Sequence, residues 1–232
     1  MALGKDYELQ DCPIARALEL IGERWTILVI RELMLGSRNF SALQRGLPRM
    51  SPTLLSARLR TLARAGVVER HQDGNRVSYT LTPAGQELRP IVEALGQWGV
   101  RWIPELGDQD LDPHLLLWDM HRNVDSSAVP PGRTVVQVVF RDVPGAARTW
   151  WLVIGPDEVD VCDADPGHQV TATIETDLRT LTRIWLGDLA WTAAARTGDL
   201  VVQGSPSVRR AVPRWFNLSA FASVPRPVAA VG

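Results

Sequence analysis

The chain has 232 residues, 45% of them apolar, with two cysteines and a formal charge of −1. That length and apolar content suit one large or two small cored domains. Two cysteines make no disulfide framework, and no apolar run reaches the roughly 18 residues of a membrane span. With charged residues at its start and no such run, the sequence reads as soluble and cytoplasmic, without a membrane partner.

The charge is unevenly placed. Residues 1–102 carry 14 Lys and Arg against 10 Asp and Glu, and residues 103–232 carry 11 against 16. Arg38, Arg45, Arg49, Arg58, Arg60, Arg64, Arg70 and Arg76 crowd the window 36–76 against only Glu69 and Asp73. The first half is therefore the part suited to a polyanion.

Cys12-Pro13 opens a helix, because proline costs nothing in a first turn. Ile14, Ala17, Leu18, Ile21, Trp25 and Leu28 recur at helical steps, so this helix is expected to run to about Leu33. Gly36-Ser37-Arg38 is a loop. A short helix follows from Phe40 to Gly46, capped by Asn39 and broken by Pro48. Ser51-Pro52 starts the next helix, with Leu54, Leu55, Leu59 and Leu62 on its apolar side and Gly66 at its end. Val67–His71 and Arg76–Leu81 read as strands joined at Asp73-Gly74. Thr82-Pro83 caps a further helix carrying Leu88, Ile91, Leu95, Trp98 and Trp102, kinked or restarted at Pro90.

Three helices, a ribbon and a helix, with a polar and basic third helix, make the order of a winged helix-turn-helix. Thr53, Ser56, Ala57 and Arg60 are expected to face DNA bases, with Ser51 at the helix start. Arg60 is suited to guanine O6 and N7, and Thr53 and Ala57 to thymine methyls. Arg49, Arg58 and Arg64 suit phosphates, which position without specifying. Asn75 and Arg76 lie at the ribbon tip, within reach of the backbone or minor groove. Trp98 and Trp102 are four apart and share a face, either packed on the first helix or forming a two-fold dimer contact.

Several stretches in order resemble HxlR-type regulators: Cys12-Pro13-Ile14 through Gly22-Glu23-Arg24-Trp25-Thr26, Ile30-Arg31-Glu32-Leu33, Arg38 to Leu43, Ser51 to Leu59, and Tyr79 to Gly85. The resemblance covers about residues 8–102 and implies a homodimer on a palindromic operator in double-stranded DNA. It departs at the wing, His71-Gln72-Asp73-Gly74-Asn75, where many relatives carry a longer wing with a Tyr and paired prolines. Relatives with a cysteine at the place of Cys12 include thiol-based redox sensors. Structural burial is the competing reading of that residue.

The second half changes character after a linker at 107–110. A helix from Asp112-Pro113 carries Leu115, Leu116, Trp118 and Met120. Strands follow at Thr134–Arg141, Arg148–Ile154, Val159–Cys162 and Val170–Thr176. Helices at Asp177–Leu186 and Leu189–Thr197, a strand at Leu200–Gln203 and a helix from Ser205-Pro206 to Phe216 complete it. This is an α+β pattern, an antiparallel sheet with late helices. Val170 to Phe216 resembles sterol carrier protein-like domains through Glu175 to Leu178, Leu186-Gly187-Asp188, Ala193-Ala194 and Gly198 to Gly204. The resemblance implies an apolar chamber for a hydrophobic or aromatic effector, with Trp118, Phe140, Trp151, Leu178, Leu181 and Trp185 as lining. A fully packed domain without a ligand is the alternative.

The expected division is 1–106 for DNA binding and dimerisation, 107–222 for the ligand, and 223–232 as a flexible tail. His71, His114, His121 and His168 show no metal-ligand spacing. There is no phosphate loop, nucleophile elbow or dinucleotide fingerprint. No enzyme activity, metal or cofactor is expected. The competing functions are a hydrophobic-ligand carrier using its winged helix for protein contacts, and redox sensing through Cys12.

Overall fold

Gly22 stops the first helix well before Leu33. In the computed structural model, which describes residues 12–103, 107 and 111–226, α1 (Pro13–Ile21) ends as the Gly22 N–H bonds the Leu18 carbonyl at 2.8 Å. A Cβ at Gly22 would lie 2.5 Å from that same oxygen, so only glycine fits here. Trp25, in the left-handed region at φ 77°, then starts α2 (Thr26–Met34). The expected single helix is thus two, and four helices precede the ribbon. The apolar spacing continues across the corner, because Ile21 and Trp25 pack on the same core as α2.

α3 (Phe40–Gly46) is capped by Asn39, whose side chain accepts the Ala42 N–H at 2.8 Å. Glu32 is fully buried at the end of α2. It accepts from the Ser37 hydroxyl and the Arg31 guanidinium, each at 3.2 Å, and so ties the loop before α3. α4 (Pro52–Arg64) is capped by Ser51 and buries Leu55, Leu59 and Leu62 against Val29, Ile30 and Leu43. β1 (Val68–Asp73) and β2 (Arg76–Leu81) pair antiparallel with Asp73 opposite Arg76. The two-residue turn is therefore Gly74-Asn75, one residue later than expected, with Gly74 supplying φ 55°. After α5 (Pro83–Gln86) the chain restarts as α6 (Arg89–Trp102), the restart foreseen at Pro90.

The chain falls into two compact units that divide between Gly96 and Gln97. In the second, α7 (Pro113–His121) is capped by Asp112. It is followed by β3 (Thr134–Phe140), β4 (Thr149–Ile154), β5 (Val159–Cys162), β6 (Ala172–Thr176), α8 (Leu178–Trp185), α9 (Trp191–Thr197), β7 (Leu200–Gln203) and α10 (Pro206–Trp215). The α+β class holds. The sheet order is β5-β4-β3-β6-β7, and its central pair, β3 with β6, is parallel. An antiparallel sheet was expected throughout. Alternation along a strand sets its buried face but carries no information about its direction.

Val136, Val138 and Phe140 of β3, Leu152 of β4 and Ile174 of β6 face one apolar core with Leu181 of α8 and Trp215 of α10. Of the expected tail, residues 227–232 lie outside the described residues. Arg226 binds the Asp188 carboxylate with two bonds of 2.6 and 2.8 Å.

Candidate nucleic-acid interface and second-unit core

Burial of Leu55, Leu59 and Leu62 fixes which side of α4 remains outward. Ser51, Thr53, Arg60 and Arg64 are exposed, and Ser56 and Ala57 are half-buried. Arg60 lies along the helix, its Nε donating to the Ser56 carbonyl at 3.3 Å. Arg49 is exposed just before the helix, and Asn75 and Arg76 are exposed at the ribbon tip. The structure thus gathers Thr53, Ser56, Ala57, Arg60 and Arg64 on one helix.

Arg58 differs from its expected place at a phosphate. Its guanidinium pairs with the Glu23 carboxylate, and its Nε donates to the Arg24 carbonyl at 3.3 Å. Only 19% of the side chain is exposed. Arg58 therefore fastens the corner between α1 and α2 to α4. Charge counting cannot reveal this, because Glu23 lies 35 positions earlier in the chain.

Between α4 and the ribbon is a cleft of about 440 Å³ lined by Ser56, Leu59, Arg60, Ala63, Arg70 and Tyr79. Arg70 and Tyr79 are additions to the sequence-derived set. They stand directly opposite each other in the ladder, a register that follows only once the turn is placed at Gly74-Asn75.

On α6, Ile91, Leu95, Trp98 and Trp102 form a helical stripe that is 45%, 50%, 58% and 58% exposed. On α1, Ile14 and Leu18 are likewise exposed. Cys12 is a half-buried free thiol at the start of α1, and its side chain makes no capping bond.

In the second unit Trp118, Phe140, Leu178, Leu181 and Trp185 pack together in one core. Trp151, expected among them, lies on the opposite sheet face, paired with Gln137 and Cys162. Trp150 takes its place in the core and donates its Nε1–H to the Ala147 carbonyl at 2.7 Å. Two adjacent strand residues must face opposite ways, and the pairing of Val138 with Trp150 selects the first. His114 and His121 lie against Trp118, with ring centroids 5.9 and 4.4 Å away. A cleft of about 510 Å³ in this unit is lined instead by Arg133, His168, Gln169, Thr171 and Ser205 among others.

Residues 20–106 match the HxlR-like helix-turn-helix model. The chain is also 35% identical over 96 residues to the uncharacterized HTH-type transcriptional regulator YvaP of Bacillus subtilis (strain 168), a match covering 40% of this chain and 89% of that relative. The chain belongs to the HxlR-like helix-turn-helix family. It is 45% identical over 94 residues to the uncharacterized HTH-type transcriptional regulator Rv3095 of Mycobacterium tuberculosis (strain ATCC 25618 / H37Rv). That match covers 39% of this chain and 59% of the relative. Among solved structures, the reduced form of the transcriptional regulator YodB from B. subtilis aligns with a TM-score of 0.37 and 31% identity, covering 40% of this chain and 95% of that one. Residues 122–215 match the SCP-2 sterol transfer family, so both resemblances expected from the sequence are present.

The stretch Thr82 to Gly85 has a physical task in this HxlR-like unit. The Thr82 N–H donates to the Val67 carbonyl at 3.1 Å, its hydroxyl donates to the Gly66 carbonyl at 2.5 Å, and its Oγ1 accepts the Gly85 N–H at 3.2 Å. α5 is thereby pressed against the root of the ribbon, which holds the ribbon beside α4.

Proposed function

We propose that this protein is a homodimeric, sequence-specific DNA-binding transcription regulator whose second unit responds to a hydrophobic or aromatic small molecule. The observation that carries the reading is α4. Its buried leucines turn Thr53, Ser56, Ala57, Arg60 and Arg64 outward together, beside a ribbon with Asn75 and Arg76 at its tip. Such a helix suits the major groove, with Arg60 donating two bonds to guanine. Arg49 and Arg64 suit the flanking phosphates.

Arg60→Ala is expected to weaken the best site from a randomised duplex pool by about 1–3 kcal/mol, roughly 5- to 150-fold, and to relax preference at one base pair. Fluorescence anisotropy on matched and mismatched duplexes checks both. Unchanged affinity and preference would remove α4 from the role of reading helix.

The exposed stripe Ile91, Leu95, Trp98 and Trp102 supports the dimer, since an apolar helix face of this kind is normally covered. A two-fold pairing would set two half-sites about one helical turn apart. Leu95→Glu is expected to convert the dimer into monomer in sedimentation velocity. A wild type that sediments as a monomer at micromolar concentration counts against the dimer.

The working division is 1–106 for DNA binding and pairing and 107–222 for the effector. Similarity to the SCP-2 sterol transfer family supports an apolar ligand. Trp118, Phe140, Leu178, Leu181 and Trp185, which share one core, are the side chains such a ligand would meet between α8 and the sheet. Tryptophan fluorescence and operator affinity, titrated with fatty acids, sterols and aromatic acids, test the effector; a silent response across that panel removes it.

A further inference from the structure

The cleft between α4 and the ribbon gains a role that rests on the reading of α4 as the helix entering the major groove. If a helix lies in the major groove and an adjoining ribbon tip reaches the next minor groove, one sugar-phosphate strand runs between them. In this chain the space between is the cleft lined by Ser56, Leu59, Arg60, Ala63, Arg70 and Tyr79.

The charges of the ribbon are sorted by face. Arg70 and Tyr79 are ladder partners and therefore project to the same side, toward α4. Glu69 and Asp73 have the opposite parity and project to the other side. There Glu69 lies 3.8 Å from His71, and His71 contacts the Thr80 hydroxyl at 2.7 Å. Neither carboxylate of the ribbon thus shares the cleft face, which presents two guanidinium groups and a phenol.

Tyr79 is anchored. Its N–H donates to the Arg38 carbonyl at 2.7 Å, and its side chain packs on the core. Arg70 is braced by one bond from Nη1 to the Gln72 side-chain oxygen at 3.0 Å. A guanidinium has five N–H donors in a planar fork, a shape that matches two oxygens of a phosphate.

We propose that the cleft seats one backbone phosphodiester of bound DNA, held by the Arg70 guanidinium and the Tyr79 phenol. The base of the ribbon then sets the register of α4 on the duplex. A contact to phosphate carries charge but no sequence information, so it has a signature distinct from that of Arg60.

The test uses the full-length protein and a duplex selected from a random pool, with a scrambled duplex beside it. Affinities are measured between about 50 and 200 mM salt. Arg70→Gln is expected to weaken both duplexes by the same factor, roughly tenfold, and to reduce the slope of log affinity against log salt by about one, with base preference intact. Arg70→Lys keeps the charge and is expected to restore the slope while recovering only part of the affinity. Tyr79→Phe is expected to weaken both duplexes about threefold at unchanged slope, the loss of one hydrogen bond.

An Arg70→Gln protein with wild-type slope and affinity overturns the proposal. If Arg60→Ala relaxes base preference in the same experiment, the reading of α4 stands without it. A slope lost equally in Arg70→Lys also overturns it, because displacement of the ribbon rather than loss of charge would then be the cause. If the wild type shows no salt-dependent duplex binding, both the cleft and the reading of α4 fall.

Discussion

Replacing Trp215 by Ala is expected to lower the stability of the second unit by about 3–5 kcal/mol. The side chain is wholly buried in the core that α10 shares with β3, β6 and α8. Its backbone carbonyl accepts the Asp125 N–H at 2.8 Å, and the neighbouring Phe216 bridges to Val124. The position therefore joins the end of α10 to the segment after α7. Truncation would leave an indole-sized void that close-packed neighbours fill only in part.

The indole Nε1 is buried without a hydrogen-bond partner, which distinguishes a second substitution. Trp215→Phe removes that unsatisfied donor as well as apolar surface, so the two effects oppose each other and the net cost should stay below about 1.5 kcal/mol. Amide exchange resolved to β3 and β6 measures both variants in the intact chain. A loss under 1 kcal/mol for Trp215→Ala would show that the core closes over the void.

Gly85→Ala is expected to destabilise the first unit by at least 2 kcal/mol, although alanine is the better helix former by about 1 kcal/mol. A Cβ at this position would stand 2.2 Å from the Val67 carbonyl oxygen and 3.0 Å from Leu81 Cδ2. The oxygen belongs to the backbone and accepts the Thr82 N–H at 3.1 Å, so it cannot swing aside as a flexible side chain would. α5 must instead move away from the ribbon root. Thermal unfolding of unit-specific signals reads the change, and a raised Tm for Gly85→Ala would sink the steric account. Operator affinity should fall as well, because the displaced ribbon no longer flanks α4 correctly.

Local chemistry made most elements legible. Asn39, Ser51, Thr82, Asp112, Asp177 and Ser205 each cap a helix where a polar residue before a proline or an apolar run announced it. The corner at Gly22–Trp25 was hidden because apolar spacing is blind to a short turn that keeps the same face inward. The parallel pair of β3 and β6 was hidden because direction depends on where the chain returns to the sheet. Arg58 and Trp151 were misplaced for a related reason. A residue's type suggests what it can bind, but its neighbours across the fold decide what it does bind. Arg70 and Tyr79 required the ladder register, which one residue of turn placement determines.

The Arg58 contacts have a mechanical consequence. One guanidinium joins the middle of α4 to Glu23 and to the Arg24 carbonyl at the corner that follows α1. Rolling α4 about its own axis would pull on or break these bonds to the corner, whose Trp25 already occupies a constrained backbone conformation. A displacement of α1 at exposed Ile14 and Leu18 would therefore tug α4 at Arg58, on the flank of its buried leucine stripe, as a crank turns a shaft.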